Sequence, residues 1–401
     1  MRVLTSIMKE IIIHTLEHHK ERDKMNNNDK KIPIVLIGNT FKYEIEATVK
    51  LFFPASRFTF SDDYADACGD NYIIARISEE NDSSMLYSEI VLNGQQAVKK
   101  QKTLTCTCET DKSCVEHELC RIVYHSLKEI LHVNPPWGLM TGIRPVKKVI
   151  ELLENGKRYS EIENILTPKY ELSESKLKLA YETAKNQLQI LEKINKKAVS
   201  LYVSIPFCPT RCSYCSFVSH SMDSAIKLMP EYVEALCNEL KIIGEIVDNT
   251  NTKIDTIYFG GGTPTSITAE DIRKIMSCVR ENFNLQNVRE YSFEAGRPDT
   301  ITEEKLHVIK EYGADRISVN PQTLNDDVLR VIGRRHSGED AIKAFEIARK
   351  VGFKNINTDL IAGLPTETAA SFFNTLDRII ALDPESITVH TLTLKRAANL
   401  F

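Results

Sequence analysis

The chain has 401 residues, 42% of them hydrophobic and 26% charged, with a net charge of −4. This is soluble globular composition with room for two or three domains, and it offers no global basic field for nucleic acid. No run approaches the ~18 uninterrupted apolar residues of a membrane span, and the start lacks the apolar core and small-residue cleavage site of a secretory leader.

Residues 1–29 read as an extension, helical or disordered: the apolar run Ile11-Ile12-Ile13 is soon broken by Asn26-Asn27-Asn28. Residues 30–135 read as a small α/β domain. It opens with a buried strand over 31–40, then a helix over 42–53 and further strands near 73–77, 86–92 and 103–107. A helix over 116–132 closes it, with apolar Leu119, Ile122, Val123, Leu127, Ile130 and Leu131 at helical spacing. Ten cysteines in such a chain are the thiols of a cytoplasmic protein rather than a disulfide framework. Cys106, Cys108, Cys114 and Cys120, near His117 and His125, raise the question of a structural zinc site. Their spacing argues against it, since no pair has two residues between its cysteines and Cys120 falls inside the helix.

Residues 136–198 connect this domain to the rest. Pro135-Pro136-Trp137-Gly138 through Gly142-Ile143-Arg144-Pro145 forms an ordered turn, and two helices follow at about 146–156 and 173–197. The turn reads as an interdomain clamp, with Arg144 as an anion ligand the alternative.

From residue 199 the pattern changes. Apolar strands at 201–205, 254–259, 291–295, 316–320, 355–361 and 386–393 alternate with amphipathic helices at 226–248, 268–283, 302–312, 324–332 with 338–351, and 367–381. Strands joined by crossover helices make a parallel sheet, and sites on such sheets lie at the C-terminal strand ends. Each chemically suggestive residue falls at such an end.

Cys208-Pro-Thr-Arg-Cys212-Ser-Tyr-Cys215 follows the first of these strands. Three thiolates in one loop suit an iron–sulfur cubane, with one iron left for a small ligand, better than a four-ligand zinc site. Gly260-Gly-Gly-Thr263 ends the second strand, where backbone without Cβ atoms admits a ligand closely. Glu294 ends the third and can accept ribose hydroxyls. Gln322, Arg334 and Asp359 follow at the next ends, so the set outlines a polar nucleoside pocket beside the cysteines. Cys237 and Cys278 fall on apolar helix faces and read as core.

Residues 200–393 resemble the radical S-adenosylmethionine (SAM) enzymes, through Cys208-x3-Cys212-x2-Cys215 with Tyr214, followed by Gly260-Gly-Gly-Thr-Pro264. Tyr202-Val-Ser-Ile-Pro-Phe-Cys208, Phe259-Gly-Gly-Gly-Thr-Pro-Thr265 and Asp359-Leu-Ile-Ala-Gly-Leu-Pro365 resemble the oxygen-independent coproporphyrinogen III oxidase family. Trp137 to Pro145 and Glu294-Ala-Gly-Arg-Pro-Asp299 resemble its coproporphyrinogen dehydrogenase branch. The resemblance implies a partial (β/α)6 TIM-like barrel with a smaller N-terminal α/β domain. It implies a [4Fe–4S] cluster on Cys208, Cys212 and Cys215, and S-adenosyl-L-methionine held by Tyr202, Tyr214, Gly261, Gly262, Thr263, Glu294, Gln322, Arg334, Asp359 and Thr393. It implies decarboxylation of coproporphyrinogen III propionates to vinyl groups through a 5′-deoxyadenosyl radical, in heme biosynthesis. The electron donor would resemble flavodoxin or ferredoxin, and the protein is expected to be a monomer. Three departures stand out. Phe217 replaces a further cysteine, as in a related group that handles heme. Asn320-Pro321 replaces Gly-Val. The chain ends at Phe401, so the family's C-terminal domain is expected to be missing. A heme-trafficking protein on the same fold and a radical SAM enzyme with another substrate are the alternatives.

Overall fold

A computed structural model describes residues 31–54, 56–80, 83–105, 112–142, 144–217 and 219–393, together with 398 and 400. These residues fall into two compact units, one ending at Lys193 and the other beginning at Ile194.

The first unit is built on a five-stranded sheet of β1 (Ile32–Ile37), β2 (Phe58–Ser61), β3 (Tyr72–Glu80), β4 (Ser83–Val91) and β5 (Val98–Thr105), in the order β2-β1-β3-β4-β5. β1 runs parallel to β2 and β3, whereas β3, β4 and β5 pair antiparallel, so the sheet is mixed. Helices α1 (Lys42–Lys50) and α2 (Lys112–Leu131) share its core, with Leu119, Val123 and Leu127 of α2 fully buried. The connecting segment contains three helices where the sequence pattern suggests two: α3 (Val146–Glu154), α4 (Tyr159–Tyr170) and α5 (Glu174–Leu191). Pro168 disguises α4. It sits in the last turn, just before Glu171 leaves the helix at φ 55°, so it interrupts the helix only where the helix ends. Gly138 lies against this helix end: a Cβ there would fall 1.9 Å from the Tyr170 carbonyl oxygen. The turn before α3 is thus fixed by close backbone packing, and Arg144 is exposed.

The second unit carries a six-stranded parallel sheet. Its strands are β6 (Ala198–Ile205), β7 (Lys253–Gly261), β8 (Glu290–Gly296), β9 (Arg316–Val319), β10 (Ile356–Ala362) and β11 (Ser386–Thr391), ordered β11-β10-β9-β8-β7-β6. Spatial order follows chain order without reversal, the connectivity of a partial (β/α)6 barrel. The crossovers are α6 (Met229–Asn249), α7 (Ala269–Asn282), α8 (Glu303–Glu311), α9 (Asp326–Val331) with α10 (Gly338–Val351), and α11 (Ala369–Ala381). Alternation along the strands sorts the residues. Leu201, Val203, Ile257, Phe259, Phe293, Ala295 and Ile317 join the helices in one buried core. Their neighbours Tyr202, Ser204, Tyr258 and Glu294 therefore face the opposite side, where they line a cavity. Among the described residues no helix is long and apolar enough to cross a membrane.

α6 and α7 meet at Gly244, where a Cβ would lie 2.6 Å from the Asn282 carbonyl oxygen and 2.8 Å from its Cβ. Overpacking of this kind destabilises by about 1–3 kcal/mol, against about 1 kcal/mol of helix propensity gained by alanine. Gly244→Ala should therefore lower the urea midpoint of unfolding; a higher midpoint would show that the helices separate at no cost.

Candidate functional site

β6 delivers the chain to Pro206, and Phe207–Cys208 then makes a two-residue pairing with His220–Ser221, closing the cysteine loop on itself. Phe207 is buried with its ring edge against Tyr232 at 5.0 Å. Cys212 is buried, Cys208 and Cys215 are half-buried, and all three line one cavity of about 660 Å³. The Cys215 N–H donates to the Cys212 carbonyl at 3.1 Å, and the Ser213 N–H to the Ile332 carbonyl at 3.1 Å.

The glycine turn after β7 packs directly on this loop. The Gly262 N–H donates to the Ile205 carbonyl at 2.9 Å and the Thr263 N–H to the Phe207 carbonyl at 2.7 Å. The Thr263 hydroxyl donates to the Cys208 sulfur at 3.4 Å. A Cβ on Gly262 would meet the Phe207 oxygen at 2.7 Å and Cys208 Sγ at 3.0 Å. Gly261 has φ 110° and passes close to Ser204 and Ile205. Only glycine permits both the conformation and the approach.

Across the cavity, Tyr202 and Tyr258 stand side by side on β6 and β7 with rings stacked at 5.8 Å and 8°. The Tyr258 hydroxyl donates to Glu294 Oε2 at 3.4 Å and Asn320 Nδ2 donates to Oε1 at 3.5 Å. Burial pushes the Glu294 carboxyl up to about 7, and the nearby Asp359 carboxylate adds to the rise. Asn357 donates to Asp359 Oδ1 at 2.8 Å and is itself held by the Thr388 hydroxyl at 3.1 Å. Arg334 is buried; it donates to the Asn320 carbonyl at 2.6 Å and to the Tyr214 hydroxyl at 3.1 Å. Gln322 adopts φ 69°, a strained conformation for a side chain of its kind. It is held there by paired backbone bonds, its N–H to the Asp359 carbonyl at 3.1 Å and the Ile361 N–H to its carbonyl at 3.0 Å.

The residues that the family resemblance assigns to the cluster and to SAM lie together on this one cavity. Tyr202, Tyr214, Gly261, Gly262, Thr263, Glu294, Gln322, Arg334, Asp359 and Thr393 line it together with the three cysteines. Thr393 is the most peripheral: it lies past the end of β11, exposed, with its hydroxyl donating to the Thr391 carbonyl at 3.4 Å. Tyr258, Asn320 and Arg297 also line it, and the sequence pattern assigns none of them to the pocket, although the strand register sets Tyr258 directly beside Tyr202. The other cysteine group stays apart. Cys106 and Cys108 lie outside the described residues, Cys114 is exposed, and burial pushes the Cys120 thiol up to about 11. Among the described residues, no three His, Cys, Asp or Glu side chains converge on a single metal ion. One thiolate per iron of a cluster is a different demand, because each sulfur then binds its own iron.

Residues 202–379 match the model of the radical SAM superfamily. They form a radical SAM domain. Such a domain uses a [4Fe–4S] cluster together with SAM. The chain is 39% identical over 289 residues to an oxygen-independent coproporphyrinogen-III oxidase-like protein, HemZ, of Bacillus subtilis, covering 71% of this chain and 58% of that protein. It is 36% identical over 197 residues to the heme chaperone HemW of Bacillus subtilis, covering 49% of this chain and 51% of that protein. It is 32% identical over 205 residues to the oxygen-independent coproporphyrinogen III oxidase of Salmonella typhimurium, covering 50% of this chain and 43% of that protein. The chain thus spans about half the length of the curated relatives it matches.

The radical SAM domain's residues suit that pair of cofactors. Gln322 Oε1, Asn320 Oδ1 and Arg334 Nε are buried without a partner among the protein atoms, and all three side chains line the cavity. Buried polar atoms of this kind call for a polar ligand. Gly261 and Gly262 border the same cavity, and their lack of a Cβ lets the turn pack on Ile205 and Phe207.

Gly262→Ala should displace the Phe207–Cys208 strand. Thermal unfolding should show a loss of about 1–3 kcal/mol, and anaerobic reconstitution should load less iron. Wild-type stability and iron content together would mean that the turn does not support the cysteine loop.

Proposed function

We propose that Cys208, Cys212 and Cys215 hold the [4Fe–4S] cluster and that the cavity beside them holds SAM. On this reading the protein oxidatively decarboxylates coproporphyrinogen III, converting propionates to vinyl groups without oxygen. The likeness to the HemZ oxidase-like protein, over 71% of this chain, carries the substrate assignment. Bound together, cluster and SAM supply one-electron, hydrogen-abstracting chemistry. An external one-electron donor of flavodoxin or ferredoxin type feeds the cluster.

The chain's own residues have separate tasks in this reading. The Thr263 hydroxyl stabilises the Cys208 thiolate by a hydrogen bond. Gly261 and Gly262 offer open backbone to the methionine end of the ligand. Glu294, steadied by Tyr258 and Asn320, accepts ribose hydroxyls and places a carboxylate near a cationic sulfonium. Arg334 Nε has no protein partner and can donate to a ligand acceptor. Asp359 is oriented by Asn357. Tyr214 packs on the small core of Val328, Leu329, Ile332, Ile361 and Leu364, which fixes the loop between the second and third cysteines.

One observation favours a second reading, heme binding without decarboxylation. Phe217 lines the cavity at 67% exposure, an open aromatic surface for a flat macrocycle, and the chain is similar to the heme chaperone HemW. An anaerobic incubation with coproporphyrinogen III, reductant and SAM separates the two. Vinyl product from the wild type, and none from Cys212→Ala, is expected. Stoichiometric heme binding without vinyl product would select the carrier instead. The wild type should load about four irons per chain and Cys212→Ala almost none.

The raised Glu294 carboxyl sets a pH dependence. In the unliganded chain its neutral form is favoured, so its contribution to stability is present at acidic pH and is lost as pH rises through about 7. SAM, being cationic at sulfur, favours the ionised form. Its affinity for the cluster-loaded protein should therefore fall up to about tenfold one unit below that pKa, and Glu294→Gln should flatten the profile. A wild-type affinity constant between pH 6 and 8 would remove Glu294 from the ligand's surroundings.

A further inference from the structure

The cysteine loop draws part of its order from a charged group that the sequence pattern does not single out. Arg297, 3% exposed, lies just past β8. Its Nε and Nη2 donate to the two carboxylate oxygens of Asp299 at 3.0 and 2.9 Å. Its Nη1 donates to the Thr210 carbonyl at 3.0 Å and the Thr210 hydroxyl at 2.7 Å. All three guanidinium nitrogens are thereby committed to protein acceptors. Although Arg297 borders the cavity, it has no free fork with which to grip a ligand carboxylate.

Thr210 lies midway between Cys208 and Cys212. Its hydroxyl passes the contact on, donating to the Gly333 carbonyl at 3.0 Å, next to the Ile332 carbonyl that accepts from Ser213. Behind Asp299 stands His336, its side chain fully buried, with Nδ1 3.5 Å from Asp299 Oδ1. The loop is therefore tied to two later strand-end segments, and Arg297 is the charged link to one of them. A lysine is a point charge and cannot hold Asp299 by two bonds and Thr210 by two more.

We propose that Arg297, braced by Asp299, is a positioning residue that sets the conformation of the Cys208–Cys215 loop and so the retention of an iron–sulfur cluster. The cluster part rests on the assignment of Cys208, Cys212 and Cys215 as its ligands. The loop part does not.

Hydrogen exchange of the peptide spanning 208–216, measured on the full chain without cluster, reads the loop directly. Arg297→Lys should speed its exchange at least ~10-fold, the effect of losing charged hydrogen bonds in a locally opening segment, and leave β7 and α7 unchanged. In the anaerobically reconstituted protein, chelator should bleach the visible absorbance faster by a comparable factor. Unchanged exchange and unchanged bleaching in Arg297→Lys would overturn the proposal. If that variant does not fold, Asp299→Asn decides by the same two readings, since it loosens the brace and leaves the guanidinium in place. Cys212→Ala, measured alongside, isolates the other assumption. A full cluster in that variant would refute the ligand assignment, while the exchange result on Arg297 would still stand or fall by itself.

Discussion

The backbone contact between the Gly260–Thr263 turn and the Phe207–Cys208 segment is the constraint on which the site depends. Two N–H groups of the turn, on Gly262 and Thr263, donate to carbonyls of Ile205 and Phe207, and the turn approaches to within the radius of a missing Cβ. That docking joins the ends of β6 and β7 and brings the Thr263 hydroxyl to the first cysteine sulfur. A parallel pair alone would leave the two loops free to diverge. Here the loop that carries thiols and the turn that exposes backbone become one wall of the cavity.

The opposite wall follows from strand alternation. With apolar residues on the helix side of β6 to β9, every second residue must face the interior of the partial barrel. That places Tyr202, Tyr258 and Glu294 together, and Gly260 leaves room for their side chains to gather: a Cβ there would meet Tyr258 at 2.6 Å and Glu294 at 3.1 Å. Burial, with the Asp359 carboxylate nearby, raises the Glu294 carboxyl. An acid that ionises near neutral pH can answer a cationic ligand, as the proposed reading requires.

Much of this is legible in the amino-acid sequence. The helix–strand alternation beyond residue 199 is strongly periodic, and it locates each strand there to within a few residues. Glu294, Gln322, Arg334 and Asp359 are legible because parallel sheets place chemistry near the C-terminal strand ends, whereas Tyr202 and Thr393 come only from the family resemblance. What stays hidden depends on contacts distant in sequence. Tyr258 looks like one more apolar strand residue until register places it against Tyr202. Arg297 stands in the Glu294–Asp299 motif, but its hold on Thr210 is visible only once the two segments meet in the fold. The left-handed backbone of Gln322 has no local signal, because it is imposed by pairing with β10. Helix α4 is concealed by a proline that falls in its final turn, where the helix ends.

One cavity joins the three cysteines to the wall carrying Glu294, proposed to bind the nucleoside. An anaerobic crystal structure of the reconstituted chain with SAM tests it most directly. The expected result is a cubane cluster on Cys208, Cys212 and Cys215, with the ligand running past Gly261 and Gly262 to Glu294. A cluster held by any other cysteine, or a ligand bound away from Glu294, would contradict it.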